Sequence, residues 1–169
     1  MASPNTASGF AANPNADFPE RFHRSFANHL ATGTWPVARV KDVQLSLRST
    51  PAAPTIARRW ASDFFGKRVT ATELGDSLLM LTELVTNAVR HGSPDLGGFV
   101  DVHLAVAPQR LRVEVRDVGD GFALPAPKVG PPSGGGFGLL IIDRACSRWG
   151  VAHGNPHCVW FELDRGPSA

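Results

Sequence analysis

The chain has 169 residues, enough for one domain with its own hydrophobic core and too few for two well-packed domains. Its 17 lysines and arginines against 15 aspartates and glutamates leave a net charge of +2, so the charge balance indicates neither a nucleic-acid-binding protein nor a membrane-surface protein. Two cysteines, with no signal-peptide pattern and no apolar run of membrane-spanning length, predict a cytoplasmic protein without a disulfide.

The beginning of the chain differs in composition from the rest. It is rich in Ala, Asn, Pro, Ser and Gly and shows no sustained hydrophobic period, which is typical of a flexible arm without chemistry of its own. Regular periods begin at Arg39. The sequence therefore predicts a flexible arm over residues 1–38 and a folded domain over residues 39–166.

Hydrophobic spacing predicts the first elements of this domain. Residues 43–47 alternate between apolar and polar side chains, as in a strand with one buried face. After two prolines, Ile56, Trp60 and Phe64 recur at helical spacing and predict a first helix. A second, longer helix is predicted over residues 72–92, because its last residue is a glycine placed where a C-terminal cap belongs.

The remaining residues predict four more strands and a third helix. Alternation over residues 100–106 and 111–115 around a short connection predicts a hairpin. After a long loop rich in glycine and proline, residues 137–149 predict a helix that stops at Gly150, and residues 151–164 predict two strands joined by a turn. This order predicts an α+β fold, a two-layer sandwich with helices on one face of a mixed, mostly antiparallel sheet.

The second helix carries a carboxylate and a carboxamide one turn apart in the apolar sequence LLMLTELVTNAVRHG. At about 100° per residue, Met80, Glu83, Asn87 and His91 fall on one stripe of this helix. A solvent-exposed polar face is one interpretation. The other is a site, because the stripe lacks the Lys/Glu pairs of an exposed helix, and a partly buried acid and amide must be paired or coordinate something.

Two further patterns suit a ligand. Strand alternation places Asp117 on the buried side of the sheet, and the glycines at 119 and 121 permit a close backbone approach, although an ordinary Asp-x-Gly turn has the same pattern. The sequence SGGGFG begins the third helix, where free N–H groups suit phosphate, although a hinge has the same composition. It matches neither a Walker A loop nor a Rossmann turn.

Taken together, ELVTNA, DVGDG and GGFGL resemble, in order and spacing, the N box and the two glycine boxes of the GHKL ATPase superfamily. This superfamily has the Bergerat nucleotide-binding fold and includes histidine kinases, gyrase B and anti-sigma serine kinases. The resemblance covers residues 40–164. Within the superfamily, TELVTNAVRHG, GLLIIDRACSRWG and VWFELD are most similar to the anti-sigma regulatory factors of the serine/threonine kinase type.

The resemblance implies that the chain binds ATP and Mg²⁺. It implies Asn87 as the Mg²⁺ ligand and Glu83 as the general base that orients the attacking hydroxyl. It implies that Asp117 accepts a hydrogen bond from the adenine amine and that residues 122–135 form a lid. The remaining implied contacts are Gly119 and Gly121 beside the base, and the backbone N–H groups of Gly136, Gly138 and Leu139 at the phosphates.

The implied function is a protein serine/threonine kinase that transfers the ATP γ-phosphate to a serine of a STAS-type antagonist protein and sequesters a sigma factor. The alternative is a non-catalytic module that binds ATP and a partner protein. Glu83 favours catalysis, whereas a lid with Lys128 as its one basic residue favours the alternative. The resemblance implies no direct nucleic-acid or membrane partner and is compatible with a homodimer.

A zinc site is a further interpretation, since two cysteines and two histidines occur close together near the C-terminus. Their spacing matches no common zinc pattern, and the histidines flank a Gly-Asn-Pro turn, so the sequence disfavours this site. The four residues are Cys146, His153, His157 and Cys158.

Overall fold

Two long helices, five strands and a short helical segment make up the regular structure of the described part of the chain. The computed structural model describes residues 40–91, 98–117, 142–152 and 156–166. The elements, in chain order, are β1 (Lys41–Arg48), α1 (Ala53–Phe65), α2 (Ala71–His91), β2 (Phe99–Ala107), β3 (Arg110–Asp117), β4 (Arg148–Ala152) and β5 (His157–Asp164). Residues 142–145 are also helical. Within these ranges, no helix is long and apolar enough to span a membrane.

The five strands form one sheet in the order β1-β2-β3-β5-β4. Each of the four pairings is antiparallel. The hairpin β2–β3 therefore lies at the centre of the sheet, and β5 pairs with β3 on the other side. The α+β fold with helices packed on a largely antiparallel sheet is confirmed.

Helices α1 and α2 cover one face of the sheet, which we call the inner face. An apolar stripe of α2 is buried there, with Leu81 and Val85 fully excluded from solvent. The spacing of Ile56, Trp60 and Phe64 predicted α1 correctly, but Ile56 is 49% exposed. The most buried stripe of α1 lies one position further along. It consists of three small residues, which allow helices to approach closely, and one aromatic residue at its end: Ala53, Ala57, Ala61 and Phe65.

Helix α2 begins at Ala71, one residue before the predicted start, because Thr70 forms its N-terminal cap. The hydroxyl of Thr70 accepts a hydrogen bond from the backbone N–H of Glu73 at 3.2 Å, and the Glu73 carboxylate accepts one from the Thr70 N–H at 2.7 Å. This reciprocal arrangement is a capping box. Arg165 also donates to Glu73, at 3.0 Å, and so ties the end of β5 to the start of α2.

The prediction of a helix continuing to Gly150 was wrong at its C-terminal end. Helical residues stop at position 145, and β4 begins at Arg148. Pairing with β5 places Trp149 opposite Phe161, and Trp149 packs against the hydrophobic core. Gly150 is therefore a sheet residue and not a helix cap: a Cβ atom there would lie 2.8 Å from the indole of Trp160.

The opposite face of the sheet, the outer face, is charged and yet excluded from solvent. Arg112 and Glu114 are 2% and 1% exposed. Glu114 accepts hydrogen bonds from Arg112 at 2.7 Å and from Arg116 at 2.8 Å, and Arg112 also donates to Glu162 at 2.8 Å. The Arg112 guanidinium lies 4.1 Å from the centroid of the Trp160 ring. We call Arg112, Glu114, Arg116 and Glu162 the outer ion network.

Candidate functional site

A pocket lies between α2 and strands β3 and β5. Two of its lining side chains are polar, Asn87 from the helix and Asp117 from the end of β3. The sequence patterns that carry these two residues are far apart in the chain, and the fold brings them to the same pocket. The other lining residues are apolar: Leu84, Ala88, Val115 and Val159.

The position of Asp117 follows from strand alternation. Val113 and Val115 point into the core, and Asp117 follows them on the same face. Asp117 is the last residue of β3 and is partly exposed, whereas Val115 is 3% exposed. An acceptor at this place borders a small pocket whose lining is largely apolar.

The stripe on α2 that contains Glu83 and Asn87 passes from the core to the surface. Met80 is fully buried, Glu83 and Asn87 are partly exposed, and His91 is exposed. The hydroxyl of Thr86 donates to the carbonyl oxygen of Thr82 at 2.7 Å and is thus turned back onto the helix. Glu83 lies one turn before Asn87 on the same stripe and is not among the residues that line the pocket.

The donor set tests whether a cation would fit. In the described ranges, no three His, Cys, Asp or Glu side chains gather into a metal site. Asn87 offers one oxygen of the kind that Mg²⁺ prefers, so a Mg²⁺ ion here would take further oxygen ligands from phosphates and water. That requirement agrees with a metal that arrives with a nucleotide.

Several predicted contacts fall outside the described residues. These are the lid over residues 122–135 and the glycine-box positions Gly119, Gly121, Gly136, Gly138 and Leu139. They stay predictions.

The side chains considered for a zinc site do not all lie on the same face of the sheet. Cys158 and His157 are neighbours in β5, so their side chains point to opposite faces of the sheet. Cys158 lies on the outer face, where its thiol is 3.9 Å from Glu114, and burial raises its pKa to about 12. His157 lies on the inner face with Val159. His153 is outside the described residues.

Two features around Asn87 and Asp117 were not recognised in the sequence. The apolar lining of the pocket was not recognised as such, although Leu84, Val115 and Val159 were recognised as apolar positions in their elements. His157 was not recognised as a neighbour of Asp117. The available signal was alternation along β5, since Val159, Phe161 and Leu163 point inward and His157 continues that series.

The sequence model of the histidine kinase-like ATPase domain family matches residues 47–161, well over half of the chain. The chain therefore belongs to this family, within the GHKL superfamily. Membership assigns it an ATP-binding domain of kinase-like type. No curated protein matches the sequence.

Two solved structures are similar to this chain. The RsbU and RsbW domains of a Mycobacterium tuberculosis protein superpose with a TM-score of 0.57 and 20% sequence identity, over 75% of this chain and 33% of that one. This chain thus spans about a third of the length of that structure. The histidine kinase domain of a blue-light-activated kinase from Erythrobacter litoralis EL346 has a TM-score of 0.48 and 18% identity, over 85% and 82% of the two chains.

Proposed function

We propose that this protein is an ATP-dependent protein serine/threonine kinase of the anti-sigma factor type. It would transfer the γ-phosphate of ATP to a serine of a STAS-type antagonist and sequester a sigma factor in the cytoplasm. The observation that carries the nucleotide part is the meeting of Asn87 and Asp117 in one apolar pocket. The fold similarity to a structure that contains an RsbW domain supports the regulatory part at the level of fold.

Each polar residue has a role that its surroundings support. Asp117 accepts a hydrogen bond from the adenine amine while Leu84 and Val159 contact the base. Asn87, on the helix wall, ligates Mg²⁺ through its side-chain oxygen. Glu83, one turn earlier and partly exposed, would receive the proton of an incoming serine hydroxyl. On this proposal residues 39–166 form the ATP-binding domain and residues 1–38 an arm.

Nucleotide binding is tested first, by titrating the purified chain with Mg-ATP. We expect saturable binding that Asp117→Asn weakens and that loses its dependence on Mg²⁺ in Asn87→Ala. Asp76→Asn is the matched control, since Asp76 lies on α2 three turns before Asn87, and we expect it to bind as the wild type does. Absence of ATP binding by a folded wild-type protein would contradict the proposal.

Phosphoryl transfer is tested separately with Mg-ATP and a candidate antagonist protein. Glu83→Ala should retain ATP binding and lower phosphoserine formation by about 10²- to 10⁴-fold, the usual contribution of a general base. The alternative function is an ATP-binding module that holds a partner without transfer. Lys128 as the one basic residue of the predicted lid favours it. ATP binding without any phosphoserine in the wild type would establish that alternative.

A further inference from the structure

A histidine lies next to Asp117 in the sheet. Residues of β3 and β5 pair across the inner face as Val113 with Phe161, Val115 with Val159, and Asp117 with His157. The first two pairs are buried in the core, and Val115 and Val159 line the pocket. The third pair continues the same two columns of inward-facing side chains by one step. Asp117 and His157 therefore stand side by side at the pocket end of the sheet.

This arrangement places an imidazole and a carboxylate at directly opposed positions of the two strands. Directly opposed residues in an antiparallel pair have Cβ atoms about 5 Å apart. A neutral imidazole has one N–H donor and one acceptor nitrogen, and an ionised carboxylate has only acceptors. A hydrogen bond from His157 to Asp117 would leave the second carboxylate oxygen for a ligand. His157 is partly exposed and flanked on its own strand by Val159, which lines the pocket.

We propose that His157 is a positioning residue for base recognition: its ring N–H donates to the Asp117 carboxylate and holds the other carboxylate oxygen toward the amine of the bound purine. This proposal rests on the proposed function, because it names a second residue for the same ATP site. A carboxylate at the end of a strand can otherwise rotate, and its orientation decides which edge of the base it accepts from. Fixing that orientation raises the preference for a base that carries a donor.

The purine amine is therefore the group that reveals the role of His157. Inosine triphosphate has a carbonyl acceptor where ATP has the amine, and it cannot donate to Asp117 there. We expect the wild type to bind Mg-ATP more tightly than Mg-inosine triphosphate. His157→Leu should weaken Mg-ATP binding by about tenfold, the effect of losing one hydrogen bond to a charged group, with little change for inosine triphosphate. His157→Asn, which retains a side-chain N–H, should restore part of the preference.

A double-variant cycle separates positioning from general damage to the strand. If His157 acts through Asp117, then His157→Leu should have little further effect on Mg-ATP affinity in an Asp117→Asn background. Cys158→Ala is the matched control, because it alters the next residue of β5 on the opposite face. We expect it to leave the ratio of the two affinities unchanged. Thermal unfolding of each variant verifies that the domain is folded under the binding conditions.

The possible outcomes distinguish this proposal from the proposed function. A wild-type protein that does not bind Mg-ATP would overturn both. A wild-type protein that prefers Mg-ATP, together with a folded His157→Leu variant that has the same preference, would overturn the role of His157 alone. Equal weakening of both nucleotides by His157→Leu would also overturn it, since that pattern indicates lost packing and not lost recognition of the amine.

Discussion

The inner and outer faces of the central strands are equally excluded from solvent and opposite in chemistry. On β3, Leu111 and Val113 are fully buried on the inner face, and the residue between them, Arg112, is 2% exposed on the outer face. The inner face is stabilised by removal of apolar area from water, which tolerates changes of shape better than changes of polarity. The outer face depends on pairing, because a buried charge without a partner is strongly unfavourable. Neighbouring positions of one strand are therefore stabilised differently, one by apolar burial and the next by charge pairing.

Because buried charges need partners, we expect the largest loss of stability on substitution of Glu114. It sits between Arg112 and Arg116, and burial raises its pKa while the two guanidinium groups lower it more, so that the pKa lies below its ordinary value. Glu114→Ala leaves both arginines without this partner. We expect a loss of about 3–5 kcal/mol in the free energy of unfolding, the usual effect of breaking a buried ion pair. Denaturant titration monitored by circular dichroism measures it.

Two variants test whether burial is the reason. Asp164→Ala removes a carboxylate of β5 that pairs with Arg110 and Arg148, but its side chain is 50% exposed, so we expect about 0–1 kcal/mol. Replacing Arg112, Glu114 and Arg116 together by Met, Leu and Leu should regain most of the stability lost in Glu114→Ala, because the three positions are then uncharged and Glu162, which loses Arg112, retains the hydrogen bond from Arg148 at 3.0 Å. A triple variant as unstable as the single one would contradict the comparison of the two faces.

Gly150 tests how tightly the outer face is packed around Trp160. A Cβ atom at this position would meet the indole at 2.8 Å, and that indole lies against the Arg112 guanidinium. We expect Gly150→Ala to destabilise the domain by about 1–3 kcal/mol, the range for overpacking. The same substitution in a Trp160→Leu background should be less destabilising, because the clashing ring is gone. Equal losses in both backgrounds would place the strain elsewhere.

The sequence allowed the inner face to be predicted more fully than the outer face. Alternation identified the side of β3 that carries Val113 and Val115, and it predicted Asp117 on that side. It does not tell whether the other side is covered, so the burial of Arg112 and Glu114 was not foreseen. Likewise, the sequence DRACSRWG is compatible with a helix throughout. Its last residues form the strand β4 because they pair with β5, which the local sequence does not indicate.

The candidate site shows the same limit. Asn87 and Asp117 were identified because each belongs to a short motif with its own spacing. His157 belongs to no motif, and its place beside Asp117 depends on the register between β3 and β5. Register is a property of two strands together, and a one-residue slip would move His157 to the other face.

Lowering the pH should reduce the stability that Glu114 contributes on the outer face. The pKa of Glu114 is lowered in the folded state from an ordinary value of 4.5. Its contribution to stability is therefore fully present above pH 4.5 and is lost as the pH falls through the lower folded value. The difference in free energy of unfolding between wild type and Glu114→Gln should be constant above pH 4.5 and shrink as the pH is lowered below 4.5. A difference that stays constant as the pH falls below 4.5 would show that the network does not bind Glu114 as a carboxylate.

A small effect is expected in helix α2, which covers part of the inner face. Thr70 caps α2 through its hydroxyl, and Thr70→Ala removes that acceptor while the apolar stripe of the helix stays in place. We expect a loss of about 1 kcal/mol, the typical value for an N-cap residue. Thr70→Ser retains the hydroxyl and should be close to wild type in the same denaturant titration. The inner face is held by many apolar contacts, so it stays folded when one polar contact is lost. On the outer face, loss of the Glu114 carboxylate removes a hydrogen-bond partner from two buried arginines at once. A Thr70→Ala loss as large as that of Glu114→Ala would mean that the two faces do not differ in this way.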